Sequence, residues 1–151
     1  MFTLVRRFIK TAIAFLAAGL LLGGWMIVQR DLLGGAPSEY LRSAHTHAVL
    51  AGFGMMMIMG VALWLFPRPA RDDTRYRPER VALSYWLTTL GTAGRVAGEV
   101  MHSWTSAPWL GWGIVVAALA QMAGMLLFFW AIWPRIRPVG SALREKEGER
   151  F

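Results

Sequence analysis

Apolar residues fall along this chain in four long blocks, separated by short segments rich in charge, proline and glycine. The blocks run from about Phe8 to Val28, Ala44 to Phe66, Val81 to Met101 and Leu110 to Trp133. None alternates as a half-buried strand does. Crossing a hydrocarbon core about 30 Å thick takes about 20 helical residues, and each block has that reach. Backbone groups left unpaired in lipid cost several kcal/mol each, so such blocks must pair internally, as helices. The pattern predicts an all-α membrane protein with four transmembrane helices. Residues 1–138 form the four-helix domain, and residues 139–151, with mixed charge and no apolar period, form a disordered tail.

Local signals set the boundaries. Gly34, Gly35 and Pro37 mark a turn after the first block. Ser38 is placed to cap a second helix running to Phe66, longer than the membrane is thick, and Pro67 and Pro69 end it. The first block lies where a signal peptide would, but its apolar run is long and no convincing cleavage site follows. It is read as a retained span.

Charge adds orientation. The net charge is +7, and thirteen of the sixteen basic residues flank the blocks on one side. They are Arg6, Arg7 and Lys10, then five arginines from Arg68 to Arg80, then five basic residues from Arg135 onward. The other side holds Arg30 and Arg42, while Arg95 lies within a block. By the positive-inside rule both termini are cytoplasmic, in a bacterial cytoplasmic membrane. Anionic lipid is a sufficient partner for these loops, and no nucleic-acid interface is expected. Tryptophans agree with that frame, with Trp25, Trp104, Trp109 and Trp112 near one interface and Trp64, Trp130 and Trp133 near the other. Cysteine is absent, which excludes thiolate ligands and thiol catalysis.

The candidate chemistry lies with three histidines, His45, His47 and His102, all near the outer ends of blocks. Ionisable side chains at membrane depth are expensive and usually face protein or a cavity. Converging imidazoles form a metal or haem site, and interfacial histidines bonded to headgroups or carbonyls are the alternative. Residues two apart on an α-helix differ by about 200° in direction, so His45 and His47 face opposite sides and do not share one ion. That argues against a mononuclear zinc centre. Ala44, Ala48, Ala51, Gly52 and Gly54 follow, and beside two histidines such small residues favour a porphyrin slit. In the third block Arg95 and Glu99 stand at i and i+4, placed for an ion pair or, for Arg95, a contact to haem propionates. Gly91, Gly94 and Gly98 form a packing ridge, Met55, Met56, Met57 and Met59 are read as packing residues, and Gln121 bonds another helix or faces a subunit boundary.

The stretch from Ala44, A-H-T-H-A-V-L-A-G-F-G-M-M-M-I-M-G-V-A-L-W-L-F-P, resembles the tenth helix of subunit I of haem–copper oxidases. The shared pattern is His45, His47, Val49, Leu50, Gly60, Trp64, Phe66 and Pro67. Arg42, His45 and Thr46 also resemble an R-x-x-H-T element in the second helix of nitric oxide reductases. In that family the two histidines serve two haems on the two faces of the helix. The family subunit has twelve helices in three groups of four, and this chain looks like one group. The resemblance therefore implies a homotrimer that rebuilds the twelve-helix ring, with haem held by His45 of one copy and His47 of the next. His102 competes for the second axial position if haem binds within one subunit, and Arg95 and Arg42 lie at the level of the propionates. The family's copper centre needs further histidines, and here only His102 remains. No C-x-x-C-H motif exists, so the implied cofactor is haem b. The functional expectation is electron transfer, with a redox partner, or binding of O2, NO or CO. A non-redox scaffold or accessory subunit of a respiratory complex, and a haem or metal carrier, are the alternatives.

Overall fold

The computed structural model describes residues 2–67, 75–105 and 107–136, together with Gly148. The rest of the expected tail, and the loop residues Arg68 and Arg71, lie outside the described residues. Four long helices account for nearly all the rest: α1 over Phe2–Asp31, α2 over Glu39–Leu65, α3 over Pro78–His102 and α4 over Pro108–Ile132. A single 3-10 turn, Trp133–Arg135, follows α4.

The helix ends follow from the residues that stand there. Gly34 takes a φ of 67°, which lets the Gly35 N–H fold back onto the Gln29 carbonyl at 2.9 Å and close α1. Ser38 caps α2 as expected, its Oγ accepting the Leu41 N–H at 3.2 Å. Pro78 and Pro108 open α3 and α4, where a missing N–H costs nothing. At the far end of α2, Phe66 turns to extended backbone and Pro67 follows. Within α2, residues Ala48–Met55 are wound as a wider π-helix, directly after the histidine pair. Wide turns of this kind are uncommon and often lie at functional sites.

The helices pack in sequence order, α1 on α2, α2 on α3 and α3 on α4. They close on one another at the end remote from the histidines. Val5 and Phe8 of α1, Met56, Met59 and Leu63 of α2, Tyr85 of α3 and Phe128 of α4 share one core there. Phe8 sits edge-on to Tyr85 at 5.1 Å and to Phe128 at 5.7 Å, and the Thr11 and Tyr85 hydroxyls bond at 2.9 Å. The methionine run is thus a packing element, with Met56 and Met59 fully buried. Lipid tails are as apolar as these side chains, so close fit, not exclusion from water, holds the helices together. The glycine ridge of α3 supplies that fit. A Cβ on Gly91 would run into the Gln121 backbone, and one on Gly98 would lie 2.8 Å from Ile114.

Three of the four helices, α1, α2 and α4, are long and apolar enough to cross a membrane by length and composition. The third expected span is helical but less apolar, because α3 carries Ser84, Thr88, Thr92, Arg95 and Glu99 along one side. Of these, Ser84, Thr88, Thr92 and Glu99 are buried against neighbouring helices. Its exposed positions include Leu83, Trp86 and Leu90.

Arg135 is not a solvated loop charge. It is 1% exposed, and its guanidinium grips the end of α2, with Nε donating to the Pro67 carbonyl at 2.8 Å. Nη2 donates to the carbonyls of Leu63 at 3.1 Å and Phe66 at 2.9 Å, and the group lies 4.8 Å over the Tyr76 ring. The Leu63 and Phe66 carbonyls lie at the helix end, where carbonyls are left without partners along the chain. Arg135→Ala is expected to cost about 2–4 kcal/mol, since buried acceptors lose their donors. Thermal unfolding in detergent measures this, and Arg135→Lys should recover only part, because an ammonium lacks the planar fork.

Candidate functional site

The opening turns of α2 send His45 and His47 to different neighbours. His45 faces α1, where its Nδ1 lies 2.8 Å from the Gly19 carbonyl oxygen. A carbonyl can only accept, so Nδ1 carries the proton and Nε2 keeps its lone pair. The ring rests against Gly23, where a Cβ would stand 3.0 Å from Cε1 and 3.2 Å from Nδ1. Beside it opens a cavity of about 610 Å³ lined by Leu20, Gly23, Gly24, Arg30, Arg42 and His45. A Cβ on Gly24 would meet nothing within 4 Å, so α1 is pared back to backbone along this wall. The two arginines each hold a neighbouring carboxylate, Arg30 that of Asp31 and Arg42 that of Glu39.

His47 faces α3. Its Nδ1 donates to the Ser43 carbonyl one turn back at 2.8 Å, again leaving Nε2 free of the proton. Glu99 reaches the same place from α3, with Oε2 3.4 Å from that Nδ1. Its other oxygen, Oε1, accepts from the Ser43 hydroxyl at 2.9 Å and from Arg95 Nε at 3.0 Å. The carboxylate is 3% exposed, and Oε2 has no hydrogen-bond partner among the described residues.

His102 stands apart from both. It stacks on Tyr40, ring centroids 4.0 Å apart and planes 13° off parallel. The three imidazoles therefore do not converge, and no three His, Cys, Asp or Glu side chains among the described residues gather to hold a metal ion. The small residues of α2 also differ in role from the slit expected of them. A Cβ on Gly52 would lie 2.5 Å from Phe15, and Ala44, Ala48 and Ala51 are buried, so this face is filled by helix packing. The open space lies across from it, at Gly23–Gly24 of α1. That doublet opposite His45 was the legible signal for it, as was Ser43 one turn before His47.

The family model described as Cytochrome C and Quinol oxidase polypeptide I matches residues 3–144. The chain belongs to this family. No curated protein matches the chain. No solved structure matches it either. Its three apolar helices and this membership make it a membrane protein related to haem–copper oxidase subunit I. Proteins of the subunit I family bind haem. Metal-ligating histidines almost always donate their other ring N–H to a carbonyl or carboxylate, which fixes the tautomer and the ring. His45 and His47 each do so, at 2.8 Å, on opposite sides of one helix. The residues present therefore fit a haem bound through Nε2, and the glycine-walled cavity beside His45 leaves room for a flat group.

Proposed function

We propose that the protein is a membrane b-type haem protein that transfers electrons or binds a small gas, with no copper centre. The observation that carries this reading is the pair of Nδ1-anchored imidazoles on opposite faces of α2. Haem, once bound, supplies one-electron chemistry at iron, and an open axial position would admit O2, NO or CO. The chain's own part is to present Nε2, hold each ring in one orientation, and set cations near the carboxylates of the bound group. Arg42 and Arg30 at the lip of the His45 cavity suit that last role.

The reading extends to assembly. The His45 cavity opens outward from the seam of α1 and α2, and a neighbouring subunit would supply its missing wall. In a homotrimer, haem would lie between copies, ligated by His45 of one and His47 of the next. The fourth span belongs to the same reading, since α3 turns its buried polar row to protein and Leu83, Trp86 and Leu90 outward. So do cytoplasmic termini in a bacterial inner membrane, on the strength of the loop charges.

The optical spectrum of the detergent-purified protein, oxidised and dithionite-reduced, tests it. A sharp reduced α-band is the expected result, and carbon monoxide added to the reduced sample reports an open axial position. A protein that stays colourless after haem reconstitution sinks the haem reading and leaves a non-redox scaffold or accessory subunit. Release of haem to an acceptor would instead mark a carrier.

A further inference from the structure

We propose that Glu99 is a positioning residue for the iron ligand His47, and that its carboxylate sets the reduction potential of the haem held there. The inference rests on the haem reading above. Glu99 comes from α3 and is nearly inaccessible, yet one of its oxygens, Oε2, is left without a hydrogen bond and lies 3.4 Å from His47 Nδ1. The other oxygen accepts two donors, the Ser43 hydroxyl and Arg95 Nε. Two donors on one oxygen suit a charged carboxylate, and they also fix its plane. The result is a chain of contacts from Arg95 through Glu99 to the imidazole. Ser43 supplies its carbonyl, which takes the Nδ1–H, and its hydroxyl, which donates to Glu99 and lies 3.2 Å from the same Nδ1.

A negative charge behind an Nδ1–H draws that proton away from the ring and raises the electron density at Nε2. Outer partners of this kind raise ligand basicity and tune the metal. A more basic ligand favours the oxidised iron, so the carboxylate holds the potential down. Arg95 limits the effect by offsetting part of the charge. Among the described residues His45 has no such partner, its Nδ1–H meeting the neutral Gly19 carbonyl. The two faces of α2 are thereby unequal. In a haem ligated by His45 of one copy and His47 of the next, only the His47 side would carry such a charge.

Redox titration of the full-length purified protein, followed at the α-band, tests this. Glu99→Gln keeps the shape and removes the charge. It is expected to shift the one-electron equilibrium about tenfold toward the reduced form, about 59 mV upward. Glu99→Asp keeps the charge and should return most of that shift, which a merely structural role would not produce. If Glu99→Gln fails to fold, Ser43→Ala decides. Losing the hydroxyl concentrates charge on the carboxylate, so the potential should fall instead of rise. A coloured protein whose potential ignores these substitutions, or moves alike for Gln and Asp, overturns the proposal alone. A colourless wild-type protein overturns the haem reading and this inference with it.

Discussion

His45→Ala and His47→Ala are each expected to remove the whole reduced α-band, while His102→Ala leaves it in place. The contrast follows from what each ring touches. His45 and His47 have Nδ1 tied to backbone carbonyls and so present Nε2 as a ligand nitrogen. His102 stacks on Tyr40, and among the described residues no carbonyl holds its Nδ1. On the proposed reading, losing either anchored imidazole would remove an axial ligand, and neither face of α2 has a second histidine to replace it. His45→Ala also deletes one hydrogen bond worth about 1 kcal/mol, and His47→Ala the contacts to Ser43 and Glu99, worth about 1–3 kcal/mol, too little to unfold the protein. Elution volume and thermal unfolding in detergent should therefore stay close to wild type while the colour is lost. A band that survives His47→Ala but not His45→Ala would reassign the site to one ligand per haem, in the cavity beside Gly23 and Gly24. A band lost only in His102→Ala would refute the assignment altogether.

Much of this architecture was legible in the sequence because lipid narrows the choices. Apolar length gave the helices, and Ser38 and Pro67 gave the ends of α2, since caps and prolines act within one turn, whereas Pro78 and Pro108, which open α3 and α4, lay in the expected loops. The opposite facing of His45 and His47 needed only the pitch of a helix. Other features depend on partners distant in the chain. Nothing at Arg135 distinguishes it from the basic residues around it, yet it is buried against carbonyls of α2, 68 to 72 residues earlier. Glu99 was read with Arg95 alone, because that pairing is local, whereas its approach to His47 requires α2 and α3 to be packed. The role of Gly52 was misread for the same reason. A small residue can admit a cofactor or a neighbouring side chain, and only the position of Phe15 on α1 decides between them. The polar side of α3 is a further case. Mean hydropathy counts Ser84, Thr88 and Thr92 against a span, although all three are turned to protein. The π-helix over Ala48–Met55 left no trace beyond two glycines, Gly52 and Gly54.

Co-expression of His45→Ala with His47→Ala is expected to restore about a quarter of the wild-type absorbance, from two variants that are each colourless alone. The figure follows from a closed ring in which every site takes His45 from one copy and His47 from the next. With equal expression and random mixing, half the copies keep His45 and half keep His47, so about one site in four has both. Two observations make the shared site the natural reading. The rings leave α2 on opposite sides, His45 against α1 and His47 against α3 with Glu99 behind it, so one copy cannot present both to one iron. The cavity beside His45 is also open on one side among the described residues. Two-tag purification followed by the reduced spectrum isolates the mixed trimers, in which about one site in three has both ligands, because the homotrimers of either variant have none. If mixed assemblies form and stay colourless, each haem draws its ligands from a single chain. His45 must then pair with a residue other than His47, and the trimer loses its role in building the site. If no mixed assemblies form and the wild type elutes as a monomer, the shared haem is refuted directly. Recovery near a quarter before the two-tag step, and about a third after it, would place the second ligand in the neighbouring copy, where the outward-facing cavity and the two-sided helix both point.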